Sequence, residues 1–377
     1  MATQRITDFL ATRRPSGPCL VVDLEVVREN FIGFRRALPG SAIYYAVKAN
    51  PAPEILRLLA SLGSSFDCAS VAEIEMAMNA GATADRISYG NTIKKERDIA
   101  SAHALGVSLF AVDCVEEVEK VARAAPAARV FCRVLTDGAG AEWPLSRKFG
   151  CVPAMAIEVL EAAHRLGLQA TGVSFHVGSQ QTDTEAWDGA LADAANVFNT
   201  LAERGIVLTL VNMGGGFPTR YLKDVPTAEA YGQSIFAALS RHFGNRLPET
   251  IIEPGRGMVG DAGVIKAEVV LVSRKSATDE NRWVYLDIGK FGGLAETMDE
   301  AIRYPIVTAR DADRKEPCVL AGPTCDSADV MYEKVPYPLP ITLTVGDEVL
   351  IEGTGAYTTT YASVAFNGFE PLRAYVI

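Results

Sequence analysis

The feature that most constrains this chain is an alternation. From about residue 26 to 255, short apolar runs rich in β-branched and aromatic residues take turns with longer stretches of helical period, the signature of repeated βα units. Eight runs read as strands: Ile43 to Lys48, Ser65 to Cys68, Arg86 to Tyr89, Val107 to Val112, Arg129 to Leu135, Ala170 to Val177, Val207 to Met213 and Glu249 to Glu253. Between them lie segments such as PEILRLLASLG, VAEIEMAMNAG, VEEVEKVARAA and MAIEVLEAAHRLG, several closed by the glycine that a helix C-terminus prefers. Eight such units predict an α/β fold, a closed (β/α)8 barrel of the TIM type over residues 26–255.

After Arg256 the texture changes to clusters of Val, Ile and Thr separated by turn residues: AEVVLVS, RWVYLDIG, PCVLAG, ITLTVGDEVLIEG and RAYVI. This predicts an all-β domain, a sandwich or barrel, over residues 256–377. The N-terminal run GPCLVVD precedes the first βα unit, so residues 1–25 are expected to join that domain. One helical stretch, LAETMDEAIRYP, is expected to interrupt it and to end at its proline. At 377 residues the chain exceeds what one core of about 250 residues usually holds, in keeping with two domains.

Charge narrows the partners. Acidic residues outnumber basic ones by 46 to 36, and no stretch gathers Lys and Arg as a nucleic-acid footprint requires. The longest apolar runs, such as Ala42 to Val47, fall far short of the roughly 20 residues that span a bilayer. The N-terminus lacks a continuous apolar segment, and a cytoplasmic protein is expected. Seven scattered cysteines, none as C-x-x-C or near His at metal spacing, read as reduced thiols, and no metal site is expected.

In a βα barrel the residues at the C-terminal ends of the strands surround the active site. At those ends stand Lys48, Asp67, Arg133, His176, the glycines of NMGGGFP, and Glu253 with Arg256. A lysine closing an apolar strand at a barrel mouth is costly unless its amine has a partner or a task, so Lys48 is the candidate Schiff-base nucleophile. Gly214, Gly215 and Gly216 would let backbone amides approach an anion, with Arg256 adding charge, although three glycines also make a plain tight turn. Glu253 could pair with a protonated ring nitrogen or, more simply, with Arg256. A histidine on an apolar strand is usually a satisfied core residue; the neighbours Gly178 and Ser179 favour ring stacking and phosphate contact for His176. The G-x-G-x-x-G at Gly255, Gly257 and Gly260 is a decoy, because a β pattern follows it where a dinucleotide fold needs a helix.

The motifs YYAVKANP, FDCASVAEIE, SFHVGSQ, GGGFP, EPGR, GPTCDSAD and GAYT follow one another from residue 44 to 358. In that order they resemble the fold-type III pyridoxal-phosphate decarboxylases, the alanine-racemase-like barrel family that includes the ornithine, lysine/ornithine and diaminopimelate enzymes, with the ornithine branch the most similar. The resemblance implies that Lys48 holds pyridoxal 5'-phosphate covalently, that Glu253 keeps the pyridine nitrogen protonated and that His176 stacks on the ring. It places the phosphate at Ser179, Gly215, Gly216, Arg256 and Tyr357, with Gly214 and Gly255 in the same cofactor-binding set and Asp67, Glu73 and Arg133 supporting the site.

The resemblance further implies a homodimer in which Cys325 and Asp326 reach the site from the partner chain, Cys325 guiding protonation of the substrate α-carbon. It also implies an ion pair between Lys148 and Asp329 across that interface. The implied activity is decarboxylation of L-ornithine to putrescine and carbon dioxide in polyamine biosynthesis, with L-lysine to cadaverine left open. Carboxylates for a distal ammonium are expected from Asp326 and from Glu296, Asp299 and Glu300 in LAETMDEAIRYP, although acids on a helix often form only a solvated face. Tyr357 is expected to line the substrate too. The alternatives are a diaminopimelate or carboxynorspermidine-type decarboxylase, which would want an arginine such as Arg303, and an inactive homologue acting as a regulatory binding protein.

Overall fold

A computed structural model describes residues 2–143 and 148–377 of the chain. The chain divides into two compact units, one made of Arg28–Pro218 and Val225–Met258, the other of Met1–Val27, Thr219–Asp224 and Val259–Ile377. The excursion Thr219–Asp224 lies inside the barrel's sequence range, and the βα period gives no sign of it.

The first unit is a closed barrel of eight parallel strands: β1 (Ser41–Ala46), β2 (Ser65–Cys68), β3 (Ile87–Tyr89), β4 (Leu109–Val112), β5 (Arg129–Arg133), β6 (Gln169–Ser174), β7 (Leu210–Asn212) and β8 (Glu249–Ile252). They pair in chain order, and β8 closes on β1 through Thr250–Ile252 beside Ser41–Ile43. Each sequence-predicted strand is present. Most end earlier than the apolar run does, because residues such as Lys48, His176 and Glu253 leave the ladder to face the barrel mouth. Tyr44, Leu109, Ala111, Phe131, Leu210 and Ile251, from five of the strands, pack as one buried cluster. Apolar burial of this kind contributes about 25 cal/mol per Å², and at the β8–β1 closure it is joined by the backbone ladder and by a 2.7 Å hydrogen bond between the Ser41 and Thr250 hydroxyls.

A second cluster holds the loop after β7. Trp187 stacks on Phe217 with centroids 5.1 Å apart, and Phe34 meets Phe217 edge-on at the same separation. The Trp187 indole N–H donates to the Met213 carbonyl at 3.2 Å. The glycine triplet Gly214–Gly216 is thus clamped at both flanking residues.

The second unit is built on the long strand Gly263–Ser273. It pairs antiparallel with Cys19–Val22, with Glu348–Glu352 and with Arg282–Leu286, and the N-terminal strand joins this sheet as expected. The predicted helix LAETMDEAIRYP is corrected. Only 3-10 turns form over Ala295–Glu300, broken by extended Met298 and by Asp299 and Glu300, whose φ values are 52° and 61°. The turned-out Glu300 carboxylate accepts from the distant Val335 backbone N–H at 3.2 Å and also pairs with Arg303 at 2.7 Å, an i,i+3 contact that a helix would equally allow. Among the described residues, no helix is long and apolar enough to cross a membrane.

The β6–β7 seam gives a test of the barrel. A Cβ at Gly172 would lie 1.8 Å from the Leu210 carbonyl oxygen, whereas one at Gly189, in the helix Ala186–Glu203, meets nothing within 4 Å. Gly172→Ala is expected to lower the unfolding free energy by about 3 kcal/mol or more. Gly189→Ala is expected to be neutral or to raise it by up to about 1 kcal/mol. Urea midpoints of the two variants check this.

Candidate active site

Lys48 follows β1 in the single turn Val47–Ala49. Its Nζ lies 3.8 Å from Asp67 Oδ2, and about half of the lysine side chain, 49%, stays open to the barrel mouth. Asp67, near the end of β2, is buried; its other oxygen accepts from the Ser88 hydroxyl at 3.3 Å. A Cβ at Gly90 would fall 1.8 Å from Asp67 Oδ1, so any side chain there would displace the Asp67 carboxylate from its present position. Glu73 sits behind this pair as a helix cap. Its carboxylate accepts from the Ala69 N–H at 2.6 Å, and its own N–H donates to the Ser70 hydroxyl at 3.2 Å.

Across the mouth, Glu253 closes β8 and Arg133 ends β5. Burial, and then the negative charge of Asp67, pushes the Glu253 carboxyl up to about 7, against the pull of Lys48, Asn212 and Arg133. Asn212, the last residue of β7, donates its side-chain N–H to Glu253 Oε1 and accepts from the Gly214 N–H at 3.0 Å. This bridge between the carboxylate and the glycine loop escapes a reading of strand ends; its one sequence signal is a buried amide inside the apolar run TLVNMGGG. The Arg133 guanidinium lies 5.5 Å from the centre of the Phe149 ring, and burial weakens its hold on its proton while Glu253 and Asp67 oppose that loss.

His176 follows β6. Its Nδ1 accepts from the Gly178 N–H at 3.0 Å, which leaves that nitrogen unprotonated. Burial, then Arg133 and Lys48, hold the imidazole well below its ordinary pKa, so the ring is neutral at physiological pH. A neutral ring can lie flat against an aromatic cofactor without adding charge to the site.

The glycine loop packs tightly against this histidine. A Cβ at Gly215 would come within 2.7 Å of the Glu253 carbonyl and 3.3 Å of His176 Nε2. Gly214 has φ 64° and Gly216 φ 104°, so the triplet is required by backbone conformation as well as by space. Arg256 is buried, and its Nη2 donates to the Ser179 hydroxyl at 3.2 Å; Gly216 accepts from the Gln181 N–H at 2.9 Å. Ser179, the glycines and Arg256 are thereby brought together as the sequence reading expects of an anion cradle. Gly255 lies in the same turn, its carbonyl accepting from the Met258 N–H.

The remaining expected residues, Lys148 apart, belong to the β-rich unit. Cys325 is exposed, with its N–H donating to Asn367 Oδ1 at 2.7 Å, and the exposed Asp326 caps the Ala328 N–H. Below them Asp329 is buried and accepts from the Lys290 N–H and from both the N–H and hydroxyl of Thr324. Lys148, in the barrel unit, lies over the Phe149 ring at 4.8 Å. Tyr357 adopts φ 55° and packs 5.7 Å from Tyr361. Glu296 is buried, whereas Asp299 projects into solvent and pairs with exposed Lys334 at 3.2 Å.

Residues 24–260 match the family model described as the pyridoxal-binding domain of pyridoxal-dependent decarboxylases. The chain belongs to the pyridoxal-dependent decarboxylases. It is 37% identical to the lysine/ornithine decarboxylase of Selenomonas ruminantium over 365 residues, which covers 96% of this chain and 89% of that protein. It is also 36% identical to antizyme inhibitor 2 of Xenopus laevis over 363 residues, covering 93% of this chain and 78% of that protein. The solved lysine/ornithine decarboxylase of Vibrio vulnificus, complexed with cadaverine, superposes with a TM-score of 0.89 at 31% identity over the full length of both chains.

The barrel mouth fits the cofactor of this decarboxylase family. Lys48, Arg133, His176, Ser179 and Glu253 each keep part of their surface open to the mouth while protein surrounds their other sides. The donor set suits pyridoxal phosphate: an amine that could take the aldehyde, a carboxyl that could face the ring nitrogen, a neutral ring that could lie against it, and an arginine, a hydroxyl and glycine amides that could hold the phosphate.

The raised Glu253 carboxyl has a consequence for the cofactor-free protein. Its folded-state pKa of about 7 stands above the ordinary 4.5, so the folded state binds the extra proton between those values. Its contribution is therefore full below pH 4.5 and is lost as pH rises through 7. Wild-type apoprotein is expected to lose about 2 kcal/mol over that window after allowance for the open side of the group, and Glu253→Gln to lose none of it. Denaturant unfolding of both proteins at pH 5 and pH 7.5 checks the difference.

Proposed function

We propose that this decarboxylase converts L-ornithine to putrescine and carbon dioxide, and accepts L-lysine to form cadaverine, in polyamine biosynthesis. The observation that carries the reading is the Lys48 amine, 3.8 Å from Asp67 at the barrel mouth, in a site that also holds Glu253, His176 and the Ser179–Arg256 cradle. Pyridoxal phosphate, when bound, supplies an electron sink for the pair left at the α-carbon as carbon dioxide departs.

Lys48 is the group that would hold the cofactor aldehyde, with Asp67 balancing its ammonium. Glu253, steadied by Asn212, holds a proton at the pyridine nitrogen. His176 would lie against the ring, while Ser179, Gly214, Gly215, Gly216, Gly255, Arg256 and Tyr357 would hold the phosphate. Arg133 and Glu73 support this wall. Cys325 returns a proton to the α-carbon, so that an amine is released.

The substrate's distal ammonium is assigned to Asp326, with Glu296 and Tyr357 lining the same end. Asp299, solvated and paired with Lys334, is the weakest of the expected carboxylates. Arg303 does not favour a diaminopimelate substrate, since it is already bound to Glu300 and lies 4.6 Å from the centre of the Tyr332 ring. Cys325 and Asp326 stand exposed on a loop pinned beneath by Asp329. Their exposure supports a homodimer in which each serves the partner's site, with Lys148 and Asp329 near the contact, in the cytoplasm. Antizyme inhibitor 2 among the relatives is a reminder that this fold also occurs under a regulatory name; Lys48, Glu253 and Cys325 together favour the enzyme here.

Carbon dioxide release from ornithine, lysine, arginine and diaminopimelate, with cofactor added and omitted, tests the proposal. Cofactor-dependent release is expected from ornithine and lysine, and Lys48→Ala is expected to lower it roughly a thousandfold. Turnover of diaminopimelate alone, or unaltered release by Lys48→Ala, would overturn the assignment.

A further inference from the structure

Seven thiols are free, and two of them meet. Cys132 Sγ, buried within β5, lies 3.6 Å from the half-buried Cys151 Sγ. The two flank one peptide group. The Arg133 carbonyl accepts from the Cys151 backbone N–H at 3.0 Å, and both sulfurs face the same oxygen, at 3.9 Å from Cys132 and 3.6 Å from Cys151. Cys151 is held in register by a parallel bridge to Val134. A disulfide needs its sulfurs about 2 Å apart, so a closure of about 1.5 Å would suffice.

We propose that Cys132 and Cys151 form a peroxide-sensitive dithiol that, once oxidised, displaces Arg133 from its place in the barrel mouth. The pair has no task in the decarboxylation, and Cys151 has the open side that an oxidant requires. Its hydrogen bond with Cys132 also pulls the Cys151 thiol below its ordinary pKa, which favours the thiolate. The thiolate attacks hydrogen peroxide or an organic hydroperoxide; the O–O bond breaks, Cys151 becomes a sulfenic acid, and hydroxide (or alkoxide) leaves. The Cys132 sulfur then attacks the sulfenic sulfur, the S–S bond forms, and water departs with the Cys132 proton. Two thiols lose two hydrogens and one peroxide is reduced. Because the new bond spans residues on either side of the Arg133 carbonyl hub, the strain falls on Arg133.

The test treats cofactor-loaded wild-type protein with hydrogen peroxide and maps cysteine-containing peptides by mass before and after reduction with a dithiol. A 132–151 disulfide is expected, with both thiols lost to alkylation together and restored together. Peptides in which Cys132 and Cys151 remain alkylatable, or in which Cys325 alone is oxidised, would overturn the site; this readout is independent of decarboxylase activity. Cys151→Ser is expected to keep untreated activity within about twofold. Peroxide should cost the wild type at least a threefold loss of turnover that the dithiol reverses, and Cys151→Ser should show no reversible loss. A mapped disulfide without reversible loss would overturn the coupling to Arg133.

Discussion

The site depends on keeping opposite charges close in a half-closed barrel mouth. Lys48 and Asp67 stand 3.8 Å apart, and Glu253, Arg133 and the neutral His176 complete the ring. A charge held there needs a partner, because removing an ion from water without one costs several kcal/mol. Asp67 balances Lys48, Glu253 and Asp67 support the charge on Arg133, and Lys48, Arg133, His176 and Glu253 each keep an open side. The carboxyl of Glu253 shows the tension: burial and Asp67 raise it toward neutrality in the cofactor-free protein. A protonated pyridine nitrogen beside it would reverse that, so cofactor binding and the charge of Glu253 reinforce each other.

The rest of the barrel serves to hold those charges in place. The apolar interior fixes the strand ends from which the charged groups emerge. Trp187 and Phe217 clamp the glycine triplet from outside, and Asn212 ties its first amide to Glu253 from inside. Glycines occupy all three positions because a Cβ would meet the Phe175 carbonyl at Gly214, the Glu253 carbonyl at Gly215 and the Gly178 carbonyl at Gly216.

Much of this was legible in the residues, and what was not has physical causes. The eight strands stand out because parallel barrel strands are buried on both faces and leave continuous apolar runs. Lys48, His176 and Glu253 stand out because they interrupt or close those runs. Asn212, Ser88 and Gly90 do not, since their importance lies in partners at the neighbouring strand's end, Glu253 for the first and Asp67 for the other two, that sequence spacing cannot reveal. The stretch LAETMDEAIRYP misleads for a different reason: its local pattern favours a helix, but Asp299 and Glu300 take left-handed conformations and the Glu300 carboxylate is held by the distant Val335 backbone, a partner the local pattern does not show. Likewise the proximity of Cys132 and Cys151, 19 positions apart, arises only when the chain returns to bridge Val134.

The account turns on one covalent attachment, and it can be examined directly. Borohydride reduction of the cofactor-loaded protein, followed by proteolysis and mass analysis, locates the amine bonded to pyridoxal phosphate. The account predicts the adduct on Lys48, with none on Lys94 or Lys148. An adduct on another lysine, or none on a protein that releases carbon dioxide from ornithine, would contradict it.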